Sequence, residues 1–206
     1  MTWLLANPDL LVEALLQHIV IVAEALLISL AIAIPLGIWS ARRPRIYTAV
    51  LLVTGMLYTV PALALFALLI PIMGLGQGPA LTAIVLYSLL VLTRNVVVGL
   101  RNVSPDVLEA ADGMGFGRWR RLVAIELPLA MPIIVAGIRL TVVTQISVAT
   151  VGAFIGAGGL GDLIFQGITQ DIGEKVVVGA ALASLLAILA DEGLRRLERR
   201  LSVAAG

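Results

Sequence analysis

Five apolar runs dominate this chain, at about 19–39, 48–71, 80–100, 127–154 and 176–190. Roughly 20 apolar residues in helical form cross a bilayer core of about 30 Å. Lipid offers no partner for a backbone N–H or C=O, so spans of this length are helical. The composition agrees: 60% of the 206 residues are hydrophobic and 13% charged, against about 45–50% and about 25% in soluble domains. The expected class is an all-α polytopic membrane protein of about five spans. Residues 1–18 read as an N-terminal interfacial segment, 19–200 as the transmembrane domain and 201–206 as a C-terminal tail. Asn7-Pro8-Asp9 can start a helix with Pro8 in its first turn. Residues 1–17 lack a basic n-region and a small-residue cleavage site, so no signal peptide is expected. The chain has no Cys, which excludes disulfides and thiolate metal sites.

Arginine placement orients the spans. Eleven of the fourteen basic residues fall in the loop after the first run (Arg42, Arg43, Arg45), the loop after the third (Arg101, Arg118, Arg120, Arg121) and the C-terminus (Arg195, Arg196, Arg199, Arg200). Basic loops stay cytoplasmic. The N-terminus is therefore expected outside and the C-terminus inside. The loop at 101–128 is then cytoplasmic, and the glycine-rich loop after the fourth run is external. Pro61 lies inside the second run, removes a backbone donor and should kink or break that helix.

The loop at 101–128 is polar and arginine-rich between apolar spans. Ser104-Pro105-Asp106 is a helix start: Ser104 can cap, Pro105 suits the first position and Asp106 complements the dipole. The helix should stop near Gly113. Ala110 and Ala111 are small enough for a partner surface to approach closely. Gly113, Gly115 and Gly117 admit backbone angles that other residues avoid. The bland alternative is an amphipathic connector with its arginines near anionic headgroups.

Within this loop run Glu109-Ala110-Ala111, three residues, Gly115, nine residues, Ile125, one residue, Leu127-Pro128. That order resembles the loop signature of permease subunits of ABC importers at every fixed position. Val60-Pro61-Ala62-Leu63-Ala64, Thr93-Arg94-Asn95, Ala136-Gly137-Ile138-Arg139 and the run from Ile155 to Asp162 look like the osmoprotectant branch. Its members import glycine betaine, carnitine, choline and similar compatible solutes; methionine-type permeases are built similarly. The resemblance covers residues 15–200. It implies a type I importer permease (MetI-like) fold in a bacterial or archaeal cell membrane, the inner one where there are two. It also implies that Glu109, Ala110, Ala111, Gly115, Ile125, Leu127 and Pro128 couple to a partner ATPase. Two ATPase subunits, a second permease copy or homologous permease, and an extracytoplasmic substrate-binding protein are the expected partners; no nucleic acid is. ATP and Mg belong to the ATPase. This chain carries no Walker lysine motif, since Lys175 is its one lysine.

The fourth run is the least apolar. Thr141, Thr144, Gln145, Ser147 and Thr150 fall within ten residues. Thr141, Thr144, Gln145 and Ser147, with Pro61, are candidate translocation-pathway residues; interhelical hydrogen bonding is the alternative. Gly156, Gly158, Gly159, Gly161 and Asp162 are candidates for an external gate or binding-protein contact, against a tight membrane-surface turn. Their spacing spells G-x-G-x-x-G, but the phosphate fingerprint needs a preceding strand. Arg94 suits snorkelling to the cytoplasmic interface, whereas Arg139 lies deeper. Asp191 with Arg195 and Glu192 with Arg196 read as i, i+4 anchors. His18 and Glu24 read as structural. Scattered aromatics argue against a cation–π cage in this chain. A proton- or sodium-coupled secondary transporter would show midplane acids and two related halves; neither is present. A non-transporting scaffold is the remaining alternative.

Overall fold

Pro8 opens the first helix at its first turn, as expected. The computed structural model describes residues 7–205. Residues 1–6 of the expected interfacial segment and residue 206 of the tail lie outside the described residues. Helix α1 runs Pro8–Ala41 without interruption at His18, so residues 8–18 belong to the same helix as the first span. Its 34 residues measure roughly 50 Å, well beyond a bilayer core of about 30 Å.

The second span breaks where Pro61 was expected to kink or break it. It is two helices, α2 Pro44–Thr59 and α3 Ala62–Met73, bent by 97°. Pro61 fixes the break. It cannot donate, and it holds Val60 in the extended region at ψ 127. The Leu57 carbonyl accepts the Val60 N–H at 3.2 Å instead, and the Tyr87 hydroxyl donates to the Val60 carbonyl. The Leu57 and Val60 carbonyls at the corner are thus both satisfied.

Helix α4 Gln77–Arg101 is the central element. Of its most apolar window 61% is buried within the chain. It packs on α1 and on α7, Leu127–Gly152. One core joins Ile21, Val22 and Ala25 of α1 to Ile84 and Val85 of α4 and Val142, Ile146 and Ala149 of α7. Small residues set these distances, as lipid-embedded helix packing requires. A Cβ on Gly37 would stand 2.5 Å from Val96, and one on Gly137 2.5 Å from Asn95.

Between α4 and α7 lie α5 Pro105–Gly113, α6 Arg118–Arg121 and a π-helical turn, Leu122–Glu126. After α7 come a 3-10 turn, Ala153–Ile155, the short helix α8 Leu160–Thr169 and the long α9 Gly173–Ala205. The C-terminal residues up to 205 thus continue the last helix. Helix α9 leans on α7 and α8, with only 6% of its apolar window buried. Among the described residues, four helices are long and apolar enough to cross a membrane, five if the bent α2–α3 pair counts as one span. No strand occurs among the described residues.

Candidate functional site

The two ends of the bundle differ in kind. At one end, arginines knit helix termini together. Arg101 Nε donates to the Ala41 carbonyl at 2.9 Å, and its guanidinium lies 4.7 Å from the Tyr47 ring centre. At the other end, glycine turns meet. Gly76 N–H donates to the Ile155 carbonyl at 2.8 Å, and Gln77 Nε2 to Glu24 at 2.8 Å.

Helix α5 projects from the arginine end. Pro105 occupies its first position and Asp106 its first turn. Ser104, expected to cap with its side chain, does not; its carbonyl accepts the Val107 and Leu108 N–H groups at 3.1 and 3.3 Å. Glu109 and Ala110 are exposed, whereas Ala111 is fully buried beneath them. The helix ends in a Schellman motif: Phe116 N–H donates to the Ala111 carbonyl at 3.1 Å, and Gly115 N–H to that of Asp112 at 3.0 Å. Gly115 takes φ +79, the left-handed conformation this cap needs. A Cβ there would meet nothing within 4 Å, so backbone conformation alone selects glycine. Met114 and Trp119 flank the tip, 68% and 75% exposed. The exposed face of this knob carries the Glu109 carboxylate and two large apolar side chains.

What mounts that face is a charged chain of contacts that sequence reading passed over. Glu126 is 5% exposed. Its carboxylate accepts from Arg42 Nη2 at 2.7 and 3.0 Å and from Arg121 Nε at 3.0 Å. Arg121 Nη1 also donates to Asp112 at the C-terminal turn of α5. The end of α1 is thus tied through Glu126 and Arg121 to the projecting helix. Glu126 occupies the unspecified place between Ile125 and Leu127, both half-buried; Pro128, the last residue of the signature, is exposed.

The expected pathway residues separate. Gln145 and Thr141 are buried inside the chain. Gln145 Nε2 donates to Ser88 Oγ at 2.9 Å and reaches Ser29 Oγ at 3.4 Å; Thr141 donates to its own helix at the Gly137 carbonyl. These two therefore pack within the subunit and do not share a surface with Ser147, which is exposed, or Thr144, which is half-buried. Ser147 and Thr150 line a groove between α7 and α9 with Ala183 and Ser184. Pro61 is exposed at the α2–α3 corner. Arg139 faces α9, not a central pathway. It pairs with Asp191 at 2.6 Å and Glu198 at 2.8 Å, so the expected Asp191–Arg195 pair is replaced. Arg195 and Arg196 both bind Glu192.

The glycine turn is a packed structure built on α1. Gly156, Gly158 and Gly159 take φ between +80 and +86. Gly159 N–H donates to Gln17 Oε1 at 2.9 Å. A Cβ on Gly158 would stand 2.2 Å from Gln17 Nε2, and one on Gly161 2.1 Å from the Thr150 carbonyl oxygen. Helix α7 precedes this turn, so the strand that the phosphate fingerprint requires is missing. His18 is fully buried with Nε2 3.2 Å from the Ile146 carbonyl oxygen, a packing role as expected. Asp162, in the first turn of α8, has no side-chain hydrogen bond among the described residues, and partial burial pushes its carboxyl up from the ordinary value.

The molecule is a helical membrane bundle with a small helix held out from one end on an ionic mount. The chain belongs to the family of binding-protein-dependent transport system inner membrane components, whose model matches residues 33–203. It is 39% identical over 189 residues to the carnitine transport permease protein OpuCB of Listeria monocytogenes, covering 92% of this chain and 87% of that one. It is 37% identical over 202 residues to the glycine betaine/carnitine/choline transport system permease protein OpuCB of Bacillus subtilis, covering 98% and 93%. Its fold matches the inward-facing MetNI methionine ABC transporter with TM-score 0.82 at 21% identity, over 95% of this chain and 98% of that one. The expected MetI-like fold is therefore present. By its description, the family's members are inner membrane components of transport systems that depend on a binding protein.

Proposed function

We propose that this chain is the permease subunit of an ATP-driven importer of compatible solutes, quaternary amines such as glycine betaine, carnitine and choline. The observation that carries this reading is likeness along nearly the whole chain to permeases named for those solutes. The methionine transporter, at 21% identity, supports the fold alone. Two copies, or this chain and a homologous permease, enclose the route. Two ATPase subunits dock at the arginine end and consume ATP with Mg; a binding protein docks at the glycine end.

The α5 face supports a coupling role. Glu109 offers a carboxylate, Ala110 permits close approach, and the Schellman turn at Gly115 aims the helix. Ile125, Leu127 and Pro128 join this knob to α7, so a push on α5 reaches a membrane helix. At the opposite end Asp162 and the turn at Gly156–Gly161 offer a contact for the binding protein. Ser147 and Thr144 are the polar residues of α7 available to a route between permeases.

The test is uptake of radiolabelled solutes by the complex in liposomes, with its ATPase and binding protein. ATP-dependent glycine betaine or choline uptake is the expected result. Uptake of methionine or another amino acid without quaternary amines would assign the alternative, a related importer of small zwitterions.

A further inference from the structure

We propose that the groove between α1, α2 and α4 holds one acyl chain of an anionic phospholipid whose headgroup lies against Arg45. Leu36 of α1, Ala49, Val53 and Leu57 of α2 and Leu86 of α4 line the groove, which has a volume of about 650 Å³. Its walls offer no free polar group below the mouth. Thr54 is the one hydroxyl along it and donates to the Val50 carbonyl at 2.7 Å. An apolar occupant is therefore required. From Arg45 to Leu57 the α2 wall runs about 18 Å at 1.5 Å per residue. One leaflet contributes about 15 Å, half of a core of about 30 Å. The groove is thus one acyl chain long, and it starts at the end where headgroups lie.

The mouth supplies the charge preference. Arg45 is exposed and has no hydrogen bond or ion pair among the described residues. Its neighbours are engaged. Arg42 is held by Glu126, and Arg101 by the Ala41 carbonyl and the Tyr47 ring. Arg43 lies over the Trp39 ring at 5.6 Å and brings a second cation to the same mouth. Trp39 is half exposed there, where indoles favour the headgroup level. A helix from another protein could fill an apolar groove. A purely apolar helix would leave the Arg45 guanidinium unpaired, whereas phosphatidylglycerol fills the groove and neutralises the mouth with one molecule.

The test is native mass spectrometry of the detergent-purified complex, titrated with phosphatidylglycerol or with phosphatidylcholine of the same chains. The wild-type complex should bind phosphatidylglycerol more tightly. Arg45→Gln, at an exposed position that leaves the fold intact, should reduce that preference about fivefold, since one basic residue near an anionic surface carries that much. Arg118→Gln, another exposed arginine at the same end, should leave it unchanged. Val53→Trp and the milder Ala49→Leu fill the groove and should weaken both lipids. An Arg45→Gln complex with wild-type preference overturns the proposal. So does groove filling that leaves lipid binding untouched, or that separates the subunits, which would make the groove a protein interface.

Discussion

Arg42 at the end of α1 holds both carboxylate oxygens of Glu126, 84 positions away, from a single nitrogen at 2.7 and 3.0 Å. Glu126 is nearly inaccessible, and Arg121 carries the same carboxylate on to α5. Hydrogen bonds to a charged group contribute about 1.5–3 kcal/mol each. Glu126→Gln keeps the shape and removes the charge. It should expose the 113–117 turn to protease and lower ATP hydrolysis stimulated by the binding protein, with membrane insertion retained. Arg42→Lys should fall between, because a single ammonium cannot reproduce the guanidinium geometry. Wild-type protease resistance and hydrolysis in Glu126→Gln would leave the mount without a mechanical role.

Gly115 separates conformation from size. Space around its absent Cβ is open, yet φ is +79. A left-handed residue other than glycine costs roughly 1–2 kcal/mol, with Asn the best tolerated. Stimulated ATP hydrolysis should therefore fall in the order Gly, Asn, Ala, Val, the last being β-branched. An order that follows side-chain volume alone would mean that the docked partner, not the Schellman turn, selects glycine here.

Gln145 and Ser147 lie two residues apart and should behave differently. Ser29 and Ser88 each already donate to a carbonyl of their own helix, so they lose little without Gln145. Gln145→Leu should change stability by no more than about 1 kcal/mol, the net worth of a typical hydrogen bond, and leave the KM for uptake unchanged. Ser147→Phe and Thr144→Phe should reduce uptake while the complex still assembles. A raised KM in Gln145→Leu with normal uptake in Ser147→Phe would reverse this assignment of the pathway face.

Features set by local chemistry were legible from the residues alone. Pro61 announced its break, and Gly115 its special backbone, because each constraint acts within a few bonds. The Pro105–Gly113 helix was readable for the same reason, although Ser104 does not cap it with its side chain. Glu126 was not, because its partner Arg42 comes from another helix and only the folded chain joins them. The same applies to Asp191, which a helical i, i+4 rule gave to Arg195 and the fold gives to Arg139. On α7 the polar residues were visible, but which face is interior depends on where α1 and α4 lie. Helix α8 did carry a signal: Leu160, Leu163, Ile164 and Gly167 follow the i, i+3, i+4, i+7 spacing.

Orientation is the last expectation to test, and the structure sharpens how to test it. The arginine-bearing ends of α1, α4 and α6 meet through the Arg101–Ala41, Arg42–Glu126 and Arg121–Glu126 contacts, and the Gly76 and Gly156 turns meet at the opposite end. The bundle thus has a basic pole and a glycine pole, and the positive-inside rule assigns the basic pole to the cytoplasm. Single cysteines report this cleanly, since the natural chain has none. Ser40, although near the basic pole, is buried and bonded to the Leu36 carbonyl, so it is a poor probe. Arg43 and Met114 are exposed there, and Gln77 and Thr169 are exposed at the glycine pole. In intact cells an impermeant maleimide should label Gln77→Cys and Thr169→Cys. Arg43→Cys and Met114→Cys should react only after the membrane is opened. Labelling of Arg43→Cys from outside would invert the chain, place α5 beyond reach of any ATPase, and remove the coupling role proposed for Glu109.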